Sequence, residues 1–171
     1  MTPDTIQLLA RYNAHANVEM GRVLAGLEEE EWNRAMGGYY PSVRSLCSHV
    51  FASDFTWLRR FCRLRPFAVE RHAIFKKNLA HGDLLFPAFR DWEADRKALD
   101  ECFSRFADEL RPEELAQQLR YTNLKGVDQQ RQLGGLLLHV FNHQTHHRGM
   151  IALYLDLLGK ENDFSNLFVL I

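Results

Sequence analysis

The sequence predicts an all-α protein folded as a four-helix bundle, and three observations carry that prediction. Four long stretches place apolar residues every three or four positions, glycines and prolines break the pattern between them, and almost nowhere does an apolar residue alternate with a polar one as a sheet requires. The length of 171 residues suits one domain with a substantial core, so residues 1–171 read as a single domain.

The first stripe, Ile6, Leu9, Met20, Val23, Leu24 and Leu27, predicts a helix over 5–27. Gly37, Gly38 and Pro41 end that pattern, and from Ser42 a second stripe runs through Val43, Leu46, Val50, Leu58 and Phe61. Pro66 stops it. The segment from there to Gly82 has no period, carries His72 and His81, and reads as a long crossover. Asp83 is placed to cap a third helix with Phe86, Phe89, Trp92, Leu99, Phe103 and Phe106 on its inner face, Pro87 fitting only within its opening turn. Arg111-Pro112 interrupts this helix. A short acidic turn follows, then 119–130, where Gly126 separates two extended pieces of an irregular or hairpin segment. The last helix spans about 131–158 with Leu133, Leu137, Val140, Met150, Ile151, Tyr154 and Leu158 on one side, and Gly159 is its stop.

Composition excludes several classes of function. Lys+Arg total 21 against Asp+Glu 22, so no global field favours nucleic acid or an anionic bilayer. No stretch approaches the roughly 20 apolar residues of a membrane span, and no secretory signal is visible, so neither a nucleic-acid nor a membrane partner is expected. Three widely spaced cysteines, Cys47, Cys62 and Cys102, suit a reducing compartment, and the cytoplasm is the expected location.

The chemistry concentrates in the histidines, four of eight falling between His139 and His147. Residues four apart on a helix stand one turn above each other, so His143 and His147 can aim their imidazoles at one point. Both continue the apolar stripe and face the interior, where polar groups need partners. His49 lies on the inner stripe of the second helix between Leu46 and Val50. Three neutral imidazoles from two helices form the ligand set of a catalytic divalent site. Spacing alone leaves other combinations open: His143 with His146 is also a pair, and His139 and His146 share a face that meets solvent or supplies ligands. His15, His72 and His81 have no partner at ligand spacing. Gln144 stands where a zinc protease carries its catalytic glutamate, and Cys47 is turned about 200° from His49, a poor co-ligand. Seven basic residues between Arg59 and Lys77 face one acid, Glu70; such runs are usually solvated, although they can draw an anion to a pocket mouth. The apolar terminus, Phe164 and 167–171, must pack on the bundle or on another subunit.

Three motifs carry a resemblance that spans nearly the whole chain. They are Tyr12-Asn13-x-x-Ala16-Asn17, Leu46-x-x-His49 followed by Trp57-Leu58, and Asn142-His143-Gln-Thr-His146-His147-Arg148-Gly149. Together they resemble the DinB-like family, also described as DinB/YfiT-like metalloenzymes. The resemblance implies an up-down-down-up bundle, frequent homodimers, and a divalent metal, usually zinc or nickel, held by His49, His143 and His147. Met150 stands where the family commonly has Gln, and His15 where an aromatic residue is frequent. Relatives include transferases and isomerases that activate a low-molecular-weight thiol at the metal. The expected function is therefore a metal-dependent S-transferase or isomerase acting on a small electrophile, in detoxification or stress response. A metal-dependent hydrolase is the second expectation, and a non-catalytic stress-induced interaction protein with a structural metal is the third.

Overall fold

A computed structural model of the chain describes residues 1–79 and 82–171. Helix α1 (Pro3–Leu24) opens with Pro3 in its first turn and Thr2 accepting a hydrogen bond from the Thr5 amide, a cap that satisfies one of the orphan N–H groups. A one-and-a-half-turn helix, α2 (Glu29–Asn33), follows. Helix α3 (Val43–Phe61) is capped by Ser42, whose hydroxyl accepts from the Ser45 amide. The crossover holds two 3-10 turns, Ala68–Arg71 and Ala73–Lys76. Helix α4 (Phe89–Glu109) is followed by a third 3-10 turn, Pro112–Ala116, and by strands β1 (Gln118–Thr122) and β2 (Asp128–Gln132). Helix α5 (Leu133–Leu157) completes the bundle. β1 and β2 form an antiparallel hairpin with Thr122 opposite Asp128, turned at Gly126 with φ 75°.

Helix directions follow from cross-helix contacts. Ser48 meets Leu85 and Asp54 meets Arg96, so α3 and α4 run parallel. Trp57 meets His139 while His49 meets His147, so α3 and α5 run opposite. Asn17 reaches Asp100 and Gln7 reaches Ala107, which makes α1 antiparallel to α4. Arg148 reaches Asn13, and Met1 lies against Gly134, which makes α1 parallel to α5. The bundle is up-down-down-up, all-α apart from the hairpin, with the expected long crossover joining the two parallel helices. Its core is dense with aromatic rings: Phe51, Phe55, Phe61, Phe103 and Phe106 are all at most 2% exposed. Among the described residues no helix is long and apolar enough to cross a membrane.

The structure corrects three expectations. α1 ends at Leu24, not 27, and Trp32 of the unforeseen α2 fills the bundle end, its indole N–H donating to the Phe86 carbonyl at 3.1 Å. The third helix starts at Phe89; Asp83 does not cap it and Pro87 lies outside it. A residue before proline is driven out of the right-handed helical region, and Phe86, at φ 54°, is not helical. Asp91 accepts from the Ala88 amide at 3.4 Å and takes over the capping. The final helix begins at Leu133 because 131 and 132 belong to the hairpin. At the terminus Phe164 is buried, whereas Phe168, Val169 and Ile171 remain exposed. His81 lies outside the described residues.

Candidate metal centre

His49 stands in the second turn of α3, and His143 and His147 stand one turn apart near the middle of α5, the helix antiparallel to it. Their side chains converge. Nε2 of His143 lies 3.1 Å from Nε2 of His49 and 3.1 Å from Nε2 of His147. The ligand atoms of all three lie within 4.8 Å of one another, and among the described residues no carboxylate or thiol joins them. Two imidazoles bound at zinc distances in a tetrahedron have their nitrogens about 3.3 Å apart, so the spacing fits one ion with little adjustment. Three nitrogen lone pairs aimed at one point repel unless a proton or a cation sits between them. The arrangement of donors therefore fits a divalent cation, and two of the three residues, His49 and His143, are only half-buried.

Tyr40, in the loop before α3, lies against the cluster. Its hydroxyl is 2.9 Å from His49 Nδ1, and its ring stacks on the imidazole with centroids 4.2 Å apart. With Nε2 turned to a cation, Nδ1 carries the proton and donates it to the Tyr40 oxygen, which holds ring and tautomer. Tyr40 is anchored in turn, its carbonyl accepting from the Tyr154 hydroxyl at 2.9 Å. That hydroxyl occupies the place where a Cβ on residue 38 would stand, so Gly38 permits the approach. In the sequence Tyr40 is marked only by its place between the breakers Gly37, Gly38 and Pro41.

His147 is 6% exposed. Burial first, then His49 and His146, push its pKa down to about 4, so the imidazole stays neutral and available as a ligand near pH 7. Its Nδ1 has no hydrogen-bond partner among the described residues. His139 and His146 are exposed and stand outside the converging group, beside Trp57 and His147 respectively. His15 and His72 are half-buried and lie elsewhere. Cys47, as its angular position implied, is buried in the core.

Behind the histidines, on the other face of α5, a second polar cluster crosses the bundle. Arg96 donates to Asp54 and to Asp100, each at 2.7 Å; Asn17 donates to both oxygens of Asp100; Arg148 donates to Asn13 and, at 3.4 Å, to Gln144. Two arginines face two aspartates, and all four side chains are buried. Burial pushes both aspartate carboxyls upward against the pull of Arg96, while Asp100 and Asp54 together outweigh burial and raise Arg96. The signal for this cluster was present in the spacing: Arg96 and Asp100 occupy the stripe that Trp92, Leu99 and Phe103 define.

Comparison with known proteins gives a consistent result. The family model described as DinB family matches residues 1–167. The chain is also similar to a curated relative, Protein DinB of Bacillus subtilis (strain 168), with 26% identity over 159 residues that cover 88% of this chain and 84% of that protein.

Proposed function

The chain belongs to the DinB family, and from that premise we propose that His49, His143 and His147 hold a divalent metal ion, zinc or nickel, at the centre of a metal-dependent enzyme. The observation that carries this reading is the convergence of three imidazoles from two helices with no carboxylate among them. Neutral ligands leave the ion's charge undiminished, so when bound it would supply Lewis-acid activation and lower the pKa of a thiol brought to it. The reaction we propose is transfer or isomerisation that uses a low-molecular-weight thiol and a small electrophile, in detoxification or stress response. The chain's own thiols do not suit the role of nucleophile: burial pushes Cys102 up to about 11 and Cys62 up to about 12, and Cys47 higher still. The thiol therefore comes from outside. Tyr40 holds His49 in position, and the packing of α3 against α5 holds the three rings together.

The same centre could serve hydrolysis instead, or tie α3 to α5 without turnover. The half-buried state of His49 and His143 favours an open, catalytic site over a closed structural one. Elemental analysis of the purified protein, followed by thiol-transfer assays on small electrophiles with metal-loaded and chelator-treated protein, tests the proposal. About one metal per chain and transfer that chelation abolishes are expected; metal without transfer would leave hydrolysis or the structural role. The exposed Phe168, Val169 and Ile171 support a homodimer that covers them, which sedimentation of the full chain measures.

A further inference from the structure

Two groups stand out among the basic residues between Arg59 and Lys77. Arg65 and Lys77 are neutralised: Arg65 bonds Glu114 at 2.5 Å and Lys77 bonds Asp95 at 2.7 Å. Arg59, Arg60 and Arg63, with Arg120 from β1, form no ion pair among the described residues, yet they gather around one place. Two adjoining hollows, about 680 Å³ and about 480 Å³, share Arg63 and Thr122 in their walls; Arg59 and Arg60 line the first and Arg120 lines the second. One carboxylate stands on each wall, Glu70 and Asp128, against four guanidinium groups. The helix dipole accounts for cations in the last turn of α3, where Arg59 and Arg60 sit. It does not account for Arg63 beyond the helix end or for Arg120 on the hairpin.

Arg60 is held in place. Its guanidinium lies 4.8 Å from the Trp57 ring centroid and 4.9 Å from that of Tyr121, and donates to the Thr122 carbonyl at 2.9 Å. Ordering a guanidinium before a ligand arrives removes much of the entropic cost of using it. The first hollow also has apolar wall, from Phe55, Phe75 and Leu79. Fixed positive charge beside apolar surface suits an anion with a hydrocarbon or aromatic body.

We propose that this hollow is a binding site for a small amphiphilic anion, a phosphate or a pair of carboxylates on an apolar body, held by Arg59, Arg60 and Arg63 with Arg120 at its edge. It lies about 16 Å along α3 from His49, eleven residues at the helical rise. The Trp57, His139 and His143 rings, with successive centroids 5.7 Å and 6.1 Å apart, run from it toward the histidine cluster. The site stands on its own residues, so it holds whether or not the histidines bind metal.

Titration calorimetry of the full chain at constant ionic strength, with phenyl phosphate and with benzylsuccinate, tests it. Saturable one-to-one binding by at least one probe is expected, with inorganic phosphate weaker than phenyl phosphate. Arg59→Gln/Arg63→Gln should weaken binding at least tenfold with an unchanged helical circular-dichroism spectrum, Arg60→Lys should weaken it without touching the net charge, and His143→Ala should leave it intact. Preference between the two probes tells phosphate from dicarboxylate. Absence of saturation by both probes, binding within twofold of the parent in the folded double variant, or loss of binding in His143→Ala would each overturn the assignment.

Discussion

Helix α5 turns two polar faces into the bundle, and they solve opposite problems. His143 and His147 meet His49 as a set of like groups, their Nε2 atoms brought together at one point. One residue further along, Gln144 and Arg148 enter a cluster in which two arginines offset two aspartates and two asparagines join the charges. The second cluster balances its charges within the chain and ties α1, α3, α4 and α5 together, although Asn17 Oδ1, Asp54 Oδ1, Arg96 Nε and Gln144 Nε2 find no hydrogen-bond partner in it. The first fits a cation at its centre. What marks the candidate site is thus the convergence of like ligand atoms on one point, not buried polarity as such, which both clusters have.

The sharpest way to break this comparison is Arg96→Met. Removing the shared cation leaves Asp54 and Asp100 buried without it, which should cost about 3–5 kcal/mol in urea unfolding of the metal-free chain, while the fraction that remains folded binds zinc as the parent does. A loss of zinc affinity as large as the loss of stability would show the two clusters to be one unit. His143→Ala probes the other side: zinc affinity by competition with a chromophoric chelator should fall more than about 100-fold, beyond what altering a group behind a ligand produces. Metal-free stability should change far less than with Arg96→Met.

Acid provides a subtler contrast. His147 has its folded pKa depressed to about 4 from an ordinary value of 6.5, so between those values the unfolded chain binds more protons and stability contributed by the neutral ring is lost as pH falls through that window. The buried aspartates, with raised pKa values, slope the other way. The informative quantity is therefore the difference between the metal-free parent and His147→Gln, which should shift against the parent by on the order of 2 kcal/mol from pH 7 to pH 4. A difference that is flat with pH would remove the burial argument for His147. The smallest effect expected is from Tyr40→Phe, which keeps the stacked ring but deletes the oxygen at His49 Nδ1: zinc affinity should drop about tenfold, with unfolding free energy changed by less than about 1 kcal/mol.

What could be read from the chain ahead of its structure follows the range of the underlying interaction. The pairing of His143 with His147 and the inward face of His49 are consequences of helical period, which acts within one turn. Gly159 announced the end of the last helix through capping chemistry equally local. The start of α4 was misplaced because Asp83 has the chemistry of a cap, whereas Pro87 forbids helix at Phe86 and leaves Asp91 to do the capping. Trp32 escaped notice because a five-residue helix is too short to display a period; its burial beneath Phe86 is a tertiary contact.

The sequence by itself determined that this is a helical bundle with a long crossover, and that two imidazoles share one helical face, because backbone periodicity and capping are fixed by neighbours in the chain. Only the tertiary structure decided that His49 closes on that pair, that Tyr40 backs it, that Arg96 rather than solvent answers Asp54, and that Arg120 joins the arginines of α3. Those outcomes depend on how helices and a hairpin far apart in the chain are packed side by side, and on the burial that packing imposes, neither of which residue spacing encodes.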